Sequence, residues 1–190
     1  MQKLALSNLS VPKTLLATFP IVDSNRLEKS LGGYPIILKK TSGTQGDGVV
    51  LIRDQSHLLE LNDLIDRNVQ WIFQEFISFS SGRDLRVIVI GGRVVGAMQR
   101  EAKHGFRANF HKGGSVKQFE LDTTLEYMAQ QAAKECLLGV TGIDILFDEH
   151  EMKICEVNAS PGFEGFELAT SINVAYLILQ HALRVSHKTV

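Results

Sequence analysis

Residues 85–100 read LRVIVIGGRVVGAMQR. Two β-branched runs flank a pair of glycines, and a Gly–Gly pair accepts the positive φ angles that a two-residue hairpin turn demands. The segment is predicted to be an antiparallel hairpin, with Leu85–Ile90 as one strand and Arg93–Arg100 as its return. A chain organised on such a hairpin needs helices packed on the sheet to bury its apolar face.

The remaining pattern extends this reading. PIILK at 35–39, VVLIR at 49–53 and WIFQEFI at 71–77 are strand-length runs. The unbroken apolar stretch in the first implies burial on both faces. Asp23 is placed to cap a helix through Leu31, which Gly32 and Gly33 end. Residues 55–67 carry a broad helical stripe of leucines and isoleucine. SFSSG at 78–82 reads as a hinge, and residues 101–117 are glycine-rich and basic without clear periodicity. A helix is predicted from Thr123 to Leu138, capped by Asp122 or Thr123. GIDILF and MKICEVN form a second hairpin across Asp148–Glu151, and a last helix runs from Ser171 to Val185. The expected fold is α+β, in two lobes that each carry a mainly antiparallel sheet with helices on one side.

Composition narrows the function. The net charge of -1 provides no global field for nucleic acid or an anionic membrane. No apolar run approaches the roughly 20 residues that cross a bilayer. The start lacks the apolar core of a signal peptide. Cys136 and Cys155 are too few for a disulfide framework and read as buried thiols in a reducing cytoplasm. Residues 2–9 look like the tail of a short amphipathic helix, cut off by Pro12.

The second hairpin carries the most specific chemistry. Glu156 and Asn158 lie two apart on one strand and share a face. Asp144 joins that face, opposite Glu156, if the loop holds an odd number of residues, and 149–151 would supply one. Carboxylates between Ile143, Ile145, Cys155 and Val157 are costly to bury unpaired. A hard divalent cation relieves that cost through oxygen ligands. The alternative is the polar outer face of an edge hairpin. Downstream, ASPGFEGFE adds two acids, Glu164 and Glu167.

TSGTQGDG at 41–48 is neither a P-loop nor a dinucleotide fingerprint, because it leads into a strand. Its glycines, Gly43, Gly46 and Gly48, still permit backbone N–H groups to approach phosphate, with Ser42 and Thr44 as hydroxyl donors. Lys39 ends the preceding strand and either snorkels to solvent or offers a point charge. The alternative is an ordinary turn. Arg83, Arg86, Arg93, Arg100, Lys103, Arg107, Lys112 and Lys117 form a basic segment opposed only by Asp84 and Glu101. It suits a nucleic acid, a triphosphate with a developing acyl phosphate, or plain solvent. Strand alternation puts Asp84 and Arg86 on one face, and Arg100 can share a cleft with Arg86.

LKKTSGTQGDGVVL, FQEFI, GRDLRVIVIGGRVVGAM, FRANFHKGG, GIDIL and CEVNASPGFEGFE occur in this order. Together they resemble the ATP-grasp superfamily and, within it, the RimK-type amino-acid ligases, over roughly residues 11–180. The resemblance implies two lobes with ATP between them: residues 12–79 with the phosphate loop, and 80–190 with a magnesium site. It reads residues 1–11 as the tail of a helix from a preceding N-terminal domain. It assigns Lys39, Gly43, Thr44, Gln45, Gly46, Gln74, Glu75, Phe76, Ile77, Asp84, Arg107 and Asn109 to the nucleotide. Ala108 departs from the serine of the family's R-S-N triplet. Asp144, Glu156 and Asn158 match the ligands of Mg2+ or Mn2+, with two ions expected. Arg100 matches the arginine that stabilises the acyl phosphate, and Arg86 is a candidate for the substrate carboxylate.

The implied activity is an ADP-forming carboxylate–amine ligase. It would add an α-amino acid such as glutamate to the carboxylate of a protein C-terminus, peptide or metabolite. The implied setting is the cytoplasm, with neither membrane nor nucleic acid as partner, and a homo-oligomer is open. A glutathione-synthetase-like ligase is a second enzyme reading. A nucleotide-binding fragment or pseudoenzyme without ligase activity of its own is the other.

Overall fold

Gly91 and Gly92 take φ of 59° and 75°. Ile90 pairs with Arg93 across them, so the turn is the tight two-residue form that positive φ permits. The computed structural model describes residues 1–20, 23–42, 48–108, 110 and 113–187. The elements in chain order are α1 Gln2–Leu6, β1 Thr14–Leu16, α2 Ser24–Leu31, β2 Ile36–Lys40, β3 Val49–Ile52, α3 Gln55–Leu64 and β4 Trp71–Glu75. They continue with β5 Arg83–Ile90, β6 Arg93–Glu101, β7 Ser115–Phe119, α4 Thr123–Glu135, β8 Val140–Phe147, β9 Met152–Asn158, α5 Glu164–Thr170 and α6 Val174–Ser186.

The chain divides into two units, Pro12–Ser78 and Met1–Val11 with Phe79–Val190. The smaller unit holds a four-stranded sheet in the order β1-β4-β2-β3. Ile36, Ile37 and Leu38 are all buried, as the unbroken apolar run of β2 implies. Leu27 and Leu31 from α2 and Leu58 from α3 complete a core with Ile36, Leu38, Ile52, Trp71 and Phe73. Asp23 caps α2 by accepting from the Arg26 N–H, and Gly32 ends it at φ 90°.

The larger unit holds five strands in the order β7-β6-β5-β8-β9, with every adjacent pair antiparallel. One face of β5 and β8 presents Leu85, Val87, Val89, Ile143 and Ile145 to α4, whose Leu125, Ala129, Ala132 and Ala133 join the same core. Asp122 caps α4 by accepting from the Leu125 N–H at 2.8 Å. Leu4 of α1 and Leu9 are buried in this core, so residues 1–11 pack with the larger unit. On the opposite face, Phe166 and Val174 from α5 and α6 cover Ile88, Ile90 and Met98. The rest of that face carries the charged residues.

Three predicted boundaries change. Part of the aperiodic 101–117 stretch is strand β7, whose residues 97–101 partners on β6 give it a place despite its polar sequence. The last helix does not start at Ser171. Ser171 adopts left-handed φ 59° and ends α5, and Asn173 caps α6 by accepting from the Tyr176 N–H. A separate β1 also pairs with β4, its three residues too few for periodicity to reveal.

Leu4 is only 1% exposed. Leu4→Ala is expected to cost about 2–5 kcal/mol, the range for truncating a buried leucine. Urea denaturation of the purified chain checks this; an unchanged midpoint would mean residues 1–11 do not share the core.

Candidate functional site

Asp144 pairs with Glu156, and Gly142 with Asn158, so the three candidate ligands lie on one face. The route to that register is not the predicted three-residue loop. Asp148 N–H donates to the Glu151 carbonyl at 3.0 Å, leaving a two-residue loop, and Phe147 pairs with Met152. Continued without interruption, that ladder would put Asp144 opposite Cys155 and turn Glu156 to the other face. The register instead shifts between Asp144 and Ile145, and Cys155 becomes the extra residue of a β-bulge. The bulge supplies the odd residue that the alignment of Asp144 with Glu156 requires.

The neighbouring strands extend the constellation. Arg86 on β5 lies beside Asp144 on β8, and Asp84 on β5 lies beside Arg100 on β6. Arg86 donates from Nε to Asp144 Oδ1 and from Nη2 to Oδ2, both at 2.8 Å. Arg100 donates from Nε to Asp84 Oδ1 at 2.7 Å and from Nη2 to Oδ2 at 2.6 Å. Its Nη2 also lies 2.9 Å from Asp144 Oδ2. Each arginine therefore forks one carboxylate, the geometry in which guanidinium–carboxylate contacts are strongest, and Arg100 Nη2 links the two pairs through Asp144.

Burial and pairing set the charges. Burial pushes the Asp84 carboxyl up to about 6, against the pull of Arg100. Burial acts on Asp144 in the same sense, but Arg100 and Arg86 together outweigh it and hold Asp144 below its ordinary value. Burial also disfavours the Arg100 cation, yet Asp144 and Asp84 hold its proton more tightly than usual. Asp144 is 7% exposed, so the alternative of a solvated outer face does not describe it. Glu156 is exposed.

This donor set fits a hard divalent cation. Two carboxylates and one amide converge on a face where three carboxylates meet two guanidiniums, leaving net negative charge when all are ionised. The Asn158 Nδ2 is buried without a hydrogen-bond partner among the described residues. Rotating the amide by half a turn places its oxygen at that position, where a cation would satisfy it. Among the described residues, no three His, Cys, Asp or Glu side chains group to hold a metal, so an all-acid or His-rich site is not formed there.

The other predicted residues are placed as follows. Lys39 is half-buried on β2, opposite Val49 and Ile72. Gln74 is buried, and its Nε2 donates to the Thr14 hydroxyl at 2.9 Å. Glu75 accepts from the Lys13 N–H at 3.0 Å, and Ile77 is buried. Phe76 lies between them, half-buried. Arg107 is exposed with its guanidinium 5.6 Å from the Phe106 ring centre. Gly43, Thr44, Gln45, Gly46 and Asn109 lie outside the described residues. Of the two downstream acids, Glu167 accepts from the Val174 N–H at 2.7 Å and caps α6. One site group had no side-chain signal in the sequence: the Gly162 carbonyl, which accepts from Arg86 Nη1 at 3.2 Å.

The RimK-like ATP-grasp domain matches residues 1–182. The chain belongs to the RimK-like ATP-grasp family. It is 39% identical over 183 residues to a probable alpha-L-glutamate ligase of Legionella pneumophila (strain Corby), covering 95% of this chain and 60% of that relative. The chain thus spans about 60% of the length of such curated relatives. The ATP-grasp ligase PsnB, solved with a phosphomimetic variant of a minimal precursor, Mg and ADP, superposes with a TM-score of 0.73 at 22% identity, over 96% of this chain and 56% of that one. D-alanine–D-alanine ligase from Bacillus anthracis superposes with a TM-score of 0.72 at 15% identity, over 100% of this chain and 67% of that one. At these identities the two structures establish the ATP-grasp fold. Among the described residues no helix is long and apolar enough to cross a membrane.

The raised pKa of Asp84 has a measurable consequence. The folded chain holds this proton up to about pH 6, whereas the unfolded chain releases it near pH 4. Between these values the folded state binds more protons, so Asp84's contribution to stability is present below about pH 4 and lost as pH rises to about 6. Asp144, with its depressed pKa, contributes stability above the usual carboxylate range that is lost in stronger acid. Carboxyl-carbon NMR titration is expected to show Asp84 titrating near pH 6. In Asp84→Asn the decline in stability over that window should flatten.

Proposed function

We propose that this RimK-like ATP-grasp chain is part of an ADP-forming carboxylate–amine ligase. The observation that carries the proposal is the paired register of Asp144 and Glu156 beside the Arg86 and Arg100 forks. Asp144, Glu156 and Asn158 would hold Mg2+ or Mn2+, with two ions in the loaded site. Bound there, the cation supplies charge neutralisation to phosphate oxygens. Lys39, Gly43, Thr44, Gln45, Gly46, Gln74, Glu75, Phe76, Ile77, Asp84, Arg107 and Asn109 are assigned to ATP. The Mg and ADP in the PsnB complex support this choice of ligands.

In the proposed reaction a carboxylate oxygen of the acceptor attacks the γ-phosphorus and ADP leaves, forming an acyl phosphate. The amine nitrogen then attacks the acyl carbon, inorganic phosphate departs with the C–O bond electrons, and the nitrogen loses a proton as the amide forms. Arg100, held on Asp84 and Asp144, presents fixed positive charge to the developing anion. No side-chain nucleophile is needed, because positioning and charge stabilisation lower the barrier.

The amine is proposed to be glutamate, which the name of the Legionella relative supports. The acceptor is proposed to be the carboxylate of a protein C-terminus, peptide or metabolite, and the precursor peptide bound by PsnB supports the peptide case. A cytoplasmic setting and a homo-oligomer complete the proposal.

The test is ADP release by the protein when each amino acid is paired with candidate carboxylates. Release is expected only with glutamate, a carboxylate acceptor and Mg2+ together. Glu156→Gln is expected to retain its circular dichroism spectrum and lose about 100-fold in phosphate release, the scale of removing one charge-stabilising group. Absence of Mg2+-dependent ATP binding would sink the proposal.

A further inference from the structure

Asp144 accepts three N–H groups. Oδ1 takes Arg86 Nε at 2.8 Å, and Oδ2 takes both Arg86 Nη2 at 2.8 Å and Arg100 Nη2 at 2.9 Å. Each carboxylate oxygen offers two lone-pair directions. Oδ2 is therefore filled, and Oδ1 keeps one direction for a further ligand. Arg86 decides which, because its fork fixes the plane of the carboxylate.

The same guanidinium reaches a second element. Its Nη1 donates to the Gly162 carbonyl at 3.2 Å. Gly162 belongs to the turn that leaves β9 after Asn158. That turn is also seated on β8, since a Cβ on Gly142 would lie 2.6 Å from Pro161 Cβ. Gly142 is the residue opposite Asn158. Arg86 thus joins Asp144 to the chain that follows Asn158. Three of its five N–H groups are committed, and its side chain is 15% exposed.

We propose that Arg86 is a positioning residue for the cation site, clamping Asp144 to the 159–163 turn, and not the ligand of the substrate carboxylate. The inference rests on the cation reading above. It makes a prediction opposite in sign to simple electrostatics. Arg86 places a positive charge beside Asp144, so Coulomb repulsion alone says that its removal tightens cation binding. A clamp says that its removal weakens binding, because ligands held by outer partners lose about 10–100-fold in metal affinity when those partners go.

The experiment compares wild type, Arg86→Met and Arg86→Lys. Mn2+ binding is followed by electron paramagnetic resonance without nucleotide, and hydrogen–deuterium exchange is read over 159–163. Arg86→Lys keeps the charge but cannot form the fork, so it tests geometry apart from charge and is the gentler change should Arg86→Met fail to fold. The expected result is a Mn2+ Kd raised about tenfold in both variants, with faster exchange over 159–163. An unchanged or tighter Mn2+ Kd, or unchanged exchange, overturns the clamp. If wild type itself binds no Mn2+, the cation reading fails, and the exchange comparison alone still decides whether Arg86 holds the turn.

Discussion

A buried carboxylate must be neutralised, and most of the site follows from how Asp144 meets that requirement. It sits in a strand whose other face is pure core, between Ile143 and Ile145, both fully buried. Left alone there, its charge would cost several kcal/mol. Two arginines from two neighbouring strands remove that cost, and Asp84 in turn supports one of them. The four side chains form a single network across β6, β5 and β8. Its geometry is available only because the strands are antiparallel and in this register, so the site and the sheet are one construction.

The second requirement is alignment across β8 and β9. A two-residue turn alone would leave Glu156 and Asn158 facing the helix-covered core. The bulge at Cys155 corrects the parity over the last three pairs and brings both residues to the Asp144 face. A bulge beside a functional face is a common device for re-aiming a side chain. Here it separates a ladder that completes the core, through Ile154, from one that builds the site. Asn158, whose Nδ2 has no hydrogen-bond partner among the described residues, and the tightly seated Pro161 lie at the end of the second ladder.

Much of this was legible in the sequence, and the gaps have physical causes. The Gly91–Gly92 hairpin can be read directly because two adjacent positive-φ residues leave few other structures open. Helix α4 is legible from its aspartate cap, and β2 from an apolar run that only a doubly covered strand tolerates. The face shared by Asp144 and Glu156 is legible from chemistry, since buried acids seek a common partner, but the loop length is not. Bulges leave no compositional mark, and Cys155 is as apolar as its neighbours. Strands β1 and β7 are hidden because an edge strand is half-exposed and need not alternate. The role of Gly162 was out of reach because it acts through its backbone.

The central claim is that Asp144, Glu156 and Asn158 form one cation site on the β8–β9 face. Paramagnetic broadening of backbone amide resonances by substoichiometric Mn2+ tests it most directly, because the effect falls steeply with distance from the ion. The account predicts selective loss of the signals of residues 143–145 and 155–159, reversed by excess Mg2+. Broadening centred on other exposed acids such as Glu164, with those signals intact, would contradict it.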